Sequence, residues 1–371
     1  MAAINILLKE QMRTINQTIY VPWRQLGAVA FALCLAGAMP VQSQAADVTL
    51  NESGSTLLYP LFKIWVENYT AAHPGVNIST DATGSEAGIK KAIAGEAQIG
   101  ASDVFMSDRQ ARENPLILNI PLCISAQMVN YNLPDLNSEK LKLDGTVLAG
   151  IYSGTIRDWD AAPIAALNPD LKLPHQPIIP VRRADGSGDT YIFTQFLSFA
   201  DSKWSDAHGS GMTIAWPSVP GILEATSNEG VVQTVQKTPY SLGYVGVSYT
   251  KEAADAGLGT ALLKNQAGKF LLPTKDAVLA AATGLGTRTP TDERLTIVLA
   301  PGENAYPLIS YEYAIVSTKQ SDPAIADAIR RFLTWSIVPS ETNEGYLDTV
   351  HFIPLPTQIW ALSEAQIQSI K

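Results

Sequence analysis

From Val48 onward, short β-branched runs alternate with stretches of helical periodicity, joined by loops of Ser, Thr and Gly. This alternation is the strongest constraint in the chain, because it calls for an α/β architecture with helices packed on a sheet. Val48 to Leu50 reads as a strand and the loop NESGST follows. Leu57, Leu58, Leu61, Phe62, Trp65, Val66 and Tyr69 then recur at helical spacing. His73, Pro74 and Gly75 stop that helix, and Val76 to Thr80 supplies the next strand. The loop DATGSEAG opens another helix. After it, AQIGASD forms a strand ending in a polar cluster, as at the carboxyl end of sheet strands where α/β proteins bind ligands. Further on, IIPVRRADGSGDT runs from a strand through a Gly-rich turn into a helix, with Tyr191, Ile192, Phe196, Leu197 and Phe199 on its expected buried face. Near the end, YPLISYEYAIVST reads as a strand. The helix after it has Asp322 as N-cap, Pro323 at the first helical position and Ile325, Ile329 and Phe332 inward. No Pro-rich or Ser/Gly-rich linker separates two halves, so two lobes joined by more than one chain crossing are expected. The first comprises residues 46–125 and 304–371 and the second residues 126–303.

The first 45 residues read differently. Lys9, Arg13 and Arg24 precede the apolar stretch Leu26 to Met39, which is shorter than the ~20 residues a spanning helix needs. Small residues follow at Ser43 and Ala45. This is the pattern of a cleaved signal peptide, with a mature chain beginning near Ala46 and an exported, periplasmic destination. Leu33 is too large for the position before a lipidated Cys34, and either Met1 or Met12 can be the start. Cleavage removes three basic residues and one acidic one, taking the net charge from −9 to −11. It also removes Cys34, leaving Cys123 without a disulfide partner and best read as a small buried hydrophobe. So acidic a chain has no field to attract nucleic acid or an anionic membrane surface.

A loop of small residues opening a helix offers free N–H groups and a partial positive charge, which suits an anion. Three such loops occur: Ser55, Thr56 and Leu57; Thr83, Gly84 and Ser85; and Gly186, Ser187 and Gly188. Each one alone is an ordinary helix start. Arg183 adds a planar donor fork suited to two oxygens of one oxyanion, with Asp185 placed to orient it. The Gly-rich element is not a P-loop, since no GxxxxGK[ST] occurs, and neither a dinucleotide fingerprint nor a GxSxG elbow is present. His73, His175, His208 and His351 stand far apart, so no metal or cofactor site is expected.

GSTLLYPLFKIW, TGSEAGIKKAI, GEAQIGASD, AGIYSGTIRDWDAAPIAALNPDLKLP, PVRRADGSGDTYIFT and NEGVVQTVQKTPYSLGYVGVSY occur in that order. Together they resemble the periplasmic phosphate-binding protein of the high-affinity phosphate ABC transporter, over nearly the whole mature chain. The resemblance implies a two-lobed periplasmic binding protein fold, each lobe a mixed sheet flanked by helices, closing by hinge motion on one phosphate in an interlobe cleft. It implies a monomeric carrier that hands inorganic phosphate to the membrane permease subunits, and no enzyme. A secreted sensor or adhesion protein, or a phosphatase, on the same fold are the alternatives.

By that resemblance Thr56 donates through hydroxyl and backbone, Leu57 through its N–H, and Ser85 as the second-loop serine. Asp103 is the acceptor carboxylate, and Arg183, Ser187, Gly188 and Asp189 form the second-lobe donor loop. Leu57 stands where an aromatic is familiar and Asp189 where a threonine is. Asp103 accepts the proton that phosphate carries and sulfate lacks, a difference worth roughly 10⁴ to 10⁵ in selectivity. Asp189 either faces the ligand beside Asp103 or turns away and caps its own helix, and the second is the favoured expectation.

Overall fold

The computed structural model describes residues 47–283 and 288–371; the expected signal segment lies outside them. Among the described residues twelve strands are formed: β1 (Val48–Gly54), β2 (Val76–Ser79), β3 (Ile99–Ser102), β4 (Ile117–Asn132), β5 (Lys142–Leu143), β6 (Ile179–Arg183), β7 (Leu223–Ala225), β8 (Ser241–Gly246), β9 (Gly259–Thr260), β10 (Leu262–Lys264), β11 (Phe270–Leu271) and β12 (Ile309–Ser317). Nine make one mixed sheet in the order β2-β1-β3-β12-β4-β8-β6-β7, with β9 also on β4. β1 runs parallel to β2 and β3, and β6 parallel to β7 and β8. β12 and β4 lie antiparallel between these two parallel groups. A small second sheet joins β11, β10 and β5.

β4 links the two groups. Its first part, Ile117 to Ala126, pairs with β12, and its last part, Gln127 to Asn132, pairs with β8. Almost every residue of this 16-residue strand is buried, as expected of a strand covered on both faces. Pro121 has no N–H for a ladder in a central strand. The chain accommodates it with a bulge: Glu312 of β12 opposes Cys123 while Tyr313 opposes Pro121, so Leu122 is the extra residue.

The helices form where the periodicity places them. Leu61, Phe62, Trp65 and Tyr69 are the buried face of the helix Tyr59–Ala72, and Val66 is half-buried beside them. In the helix Pro323–Ile337 the Asp322 carboxylate accepts from Ala324 N at 2.7 Å, and Ile329 and Phe332 are buried. That helix packs on β1, and β12 lies between β3 and β4, so the late elements do return to the first part of the chain. The buried tryptophans place their indole N–H groups on acceptors: Trp65 on Asn343 Oδ1 (3.1 Å) and Trp159 on Tyr240 O (2.9 Å). Cys123 is a buried free thiol, as expected. One expectation fails. Phe199 is 54% exposed and Phe193 is buried in its stead within the helix Gly188–Ala200. Periodicity marks a face of a helix, not how far along that face its neighbours reach. No described helix is long and apolar enough to cross a membrane.

Candidate functional site

The three small-residue loops and Arg183 converge at the carboxyl ends of β1, β3 and β6. At the end of β1, Gly54 sits so close to the carbonyl oxygen of Ala101 on β3 that no side chain fits. This close approach sets Ser55 beside Asp103. The Ser55 hydroxyl donates to Asp103 Oδ1 and accepts from Leu58 N at 2.9 Å, joining the site to the helix start. Thr56 and Leu57 are buried next to it. Thr56 Oγ1 accepts from the Asn228 side-chain amide (2.9 Å) and backbone N–H (3.3 Å).

Ser85 is the first residue of the helix Ser85–Ala94. Its hydroxyl donates to Asp103 Oδ2 at 3.0 Å and accepts from Asp103 N at 3.2 Å. Opposite, Gly188 begins the helix Gly188–Ala200, and a Cβ there would stand 2.5 Å from Asp103 Oδ2 and 2.7 Å from Ser85 Oγ. Two helix starts thus meet over one carboxylate. Glu86 N also donates to Gly186 O at 3.1 Å, holding the two loops together.

Arg183 is 2% exposed. Its Nε and Nη2 both donate to the Asp185 carboxylate, the Nε bond at 2.7 Å, so Asp185 orients the guanidinium as the spacing suggested. Its Nη1 donates to Asp189 Oδ2 at 2.7 Å. Here the capping expectation for Asp189 is overturned. Ser187 is the N-cap, its hydroxyl accepting from Thr190 N at 3.4 Å. The fully buried Asp189 carboxylate points inward and takes donors from Arg183, from Asn228 Nδ2 at 2.7 Å and from Gln127 Nε2 at 2.9 Å. A buried guanidinium is costly without carboxylate partners, and this demand outweighs the weaker attraction of a helix start already capped.

Electrostatics follows from crowding the carboxyls of Asp103, Asp185 and Asp189 around one guanidinium. Burial, and then the charge of Asp103, push Asp189 up to about 7 against the pull of Arg183 and Asn228. Burial raises Asp103 as well, opposed first by the Ser55 hydroxyl. Burial pushes Asp185 up, but its hydrogen bonds and charge contact with Arg183 outweigh this and hold it below the usual range.

All eight residues expected from the sequence, Thr56, Leu57, Ser85, Asp103, Arg183, Ser187, Gly188 and Asp189, are therefore in one buried cluster. Three members were not foreseen: Gln127 on β4, Asn228 in the opening turn of the helix Ser227–Lys237, and Glu312 on β12. Gln127 and Glu312 had a signal, each being a polar residue inside an apolar strand run. Asn228 had none beyond that of an ordinary helix start. The histidines lie elsewhere: His73 bonds Tyr69 O (2.8 Å), His175 pairs with Asp160 (3.0 Å) and His208 packs on Trp204. No group of three or more potential metal ligands occurs among the described residues. Clustered hydroxyls, two helix starts, a guanidinium and an acceptor carboxylate form a site for a partly protonated oxyanion.

The sheet with helices on its faces and a buried polar cluster where its two parallel groups meet define a solute-binding protein of the two-lobed kind. The sequence profile of the PBP superfamily domain matches residues 40–340. The phosphate-binding protein PstS of Methanocaldococcus jannaschii is 32% identical, the match covering 94% of this chain and 96% of that one. That of Pasteurella multocida is 30% identical over 86% of this chain and 89% of the relative. The chain belongs to the PBP superfamily and, within it, to the family of these phosphate-binding proteins. A solved phosphate-binding protein from Stenotrophomonas maltophilia shares the fold, with a TM-score of 0.64 at 19% identity over 86% of this chain and 93% of that chain.

Proposed function

We propose that this chain binds one inorganic phosphate in the cluster around Asp103 and delivers it to the membrane permease of an ABC transporter. The observation that carries the reading is the meeting of the Ser85 and Gly188 helix starts over the Asp103 carboxylate, with Arg183 beside them. Donors on both sides hold the oxygens of a tetrahedral anion, and Asp103 accepts the one proton that distinguishes hydrogen phosphate from sulfate. The names of the curated relatives point to the same ligand.

Residues 46–125 and 304–371 are read as one lobe and 126–303 as the other. The first boundary falls where β4 changes partner from β12 to β8. Thr56, Leu57, Ser85 and Asp103 then come from the first lobe and Arg183, Ser187, Gly188 and Asp189 from the second, so phosphate closes the lobes on each other. The carrier works in the periplasm after removal of residues 1–45, as a monomer and without catalysis. Calorimetric titration of the mature protein, stripped of copurified ligand, tests this. One site for phosphate, with sulfate excluded by orders of magnitude, is expected. Equal binding of sulfate, or release of phosphate from an ester that disappears in Ser187→Ala, would overturn it.

A further inference from the structure

Behind Asp103, on the side away from the helix starts, stands a carboxyl group that neither the donor loops nor the lobe arrangement explains. Glu312 lies on β12 at the bulge where Tyr313 opposes Pro121, and it is fully buried. Its Oε1 accepts the Ser125 hydroxyl of β4. Its Oε2 has no N–H or hydroxyl donor, and the antiparallel register of β12 on β3, with Tyr313 opposite Ser102, sets Glu312 across from Asp103, where the two carboxyl groups share a hydrogen bond. Two carboxyl oxygens share a hydrogen bond only if one of them carries a proton. Asp103 already accepts the hydroxyls of Ser55 and Ser85, which marks it as the acceptor and Glu312 as the donor.

Resting on the phosphate-site reading above, we propose that Glu312 is a positioning residue of that site: its carboxyl proton holds the Asp103 carboxylate from behind, and loss of that proton on the alkaline side releases phosphate. A carboxylate has about four lone-pair positions. Ser55, Ser85 and Glu312 use three, leaving one for the proton of the ligand. Asp103 is thereby fixed in place and kept anionic, although burial favours its neutral form. The groups facing Glu312 reinforce its protonation. Asp103 beyond β3 and Asp189 at the start of its helix do so through their charge, while Cys123 on β4 and Tyr313 on β12 itself are the neutral titratable groups beside it, and none of the four is a cation. Burial and the Asp103 charge together raise Glu312 well above the ordinary glutamate range. Ionisation would put two carboxylates in contact behind a bound anion, and the bulge gives neither a way out.

The test compares wild type with Glu312→Gln, whose amide donates to Asp103 and accepts from Ser125 but does not titrate. Phosphate affinity is measured by calorimetry from pH 6 to 10, in two buffers of different ionisation enthalpy so that proton uptake is also read. Near pH 7 the two proteins are expected to bind within a few-fold of each other. Above the Glu312 transition, wild type should weaken by up to about tenfold per pH unit relative to the variant and take up an extra fraction of a proton on binding. The titration of phosphate itself is common to both proteins and cancels in the ratio. Parallel pH profiles with equal proton uptake would overturn the proposal. So would a Glu312→Gln protein that melts like wild type but binds poorly at every pH, because Glu312 would then not act through its proton. If neither protein bound phosphate at any pH, the phosphate reading itself would fall.

Discussion

Arg183 shows how one residue is made usable in a chain of net charge −9. Asp185 fixes two of its nitrogens and Asp189 a third, so the guanidinium is held in one orientation before any ligand arrives. Its loss frees two carboxylates inside the site and removes hydrogen bonds to charged groups worth about 1.5 to 3 kcal/mol each. Arg183→Ala is therefore expected to weaken phosphate binding by about 10- to 150-fold or more for each bond lost. Arg183→Lys should recover only part, because an ammonium cannot serve Asp185 and Asp189 as a planar fork does. Wild-type affinity in the alanine variant, measured by titration, would remove Arg183 from the site. Asp189 gives a second expectation. Burial and the charge of Asp103 push its carboxyl up to about 7, so its negative charge beside Asp103 grows as pH rises. The ratio of wild-type to Asp189→Thr affinity should fall as pH rises through that value, and a pH-independent ratio would count against an inward-facing Asp189.

At the scale of elements, the site is an outcome of how closely strands and helix starts approach. Gly188 is the contact point between its helix and the Asp103 loop, and even a methyl group there meets a carboxylate oxygen at 2.5 Å and a serine hydroxyl at 2.7 Å. Neither partner moves freely, since both are already hydrogen-bonded. Gly188→Ala is expected to prop the two helix starts apart, with phosphate affinity down at least tenfold and the melting temperature lowered by only a few degrees. Unchanged affinity in this variant, by the same calorimetric assay, would show that the two helix starts do not need to meet. The β4 bulge is the other such device. It absorbs the missing N–H of Pro121 at the point of the ladder where Glu312 stands.

For the whole molecule, several carboxyls are buried with too few cations to match them. Glu52, bonded by Thr80, and Glu293, bonded by Ser363 and Gln366, are each pushed up to about 8 by burial, and Asp189 to about 7 by burial and Asp103. Raised acids keep their protons in the folded state and lose them in the unfolded chain once pH passes the ordinary carboxylate range. Their contribution is complete below about pH 4 and is lost as pH climbs to 7 and 8. Glu86 and Asp185 are shifted downward and act in the opposite sense, but their contribution is lost only below about pH 4. Ligand-free protein is thus expected to melt several degrees higher at pH 5 than at pH 8, as followed by circular dichroism without phosphate. A melting temperature that rose over that interval would contradict this balance.

The features legible in the chain alone are those carried by residues that are neighbours in it. Strand, small-residue loop and helix follow one another within about fifteen residues, so the starts at Ser55, Ser85 and Ser187, the Arg183–Asp185 pair and most of the inward helix faces were legible. Local spacing carries that information because capping, periodicity and turn chemistry are local interactions. Which loops meet, and with what behind them, was settled by long-range packing. Asn228 reaches Thr56 across 172 positions, Gln127 reaches Asp189 across 62, and Glu312 reaches Ser125 across 187. The direction of Asp189 belongs to this class too. A helix start offers an aspartate a cap wherever it stands in a chain, but a buried guanidinium drawing it inward exists only once β6, its helix and β4 have assembled, and in the dry interior that partner exerts the stronger pull.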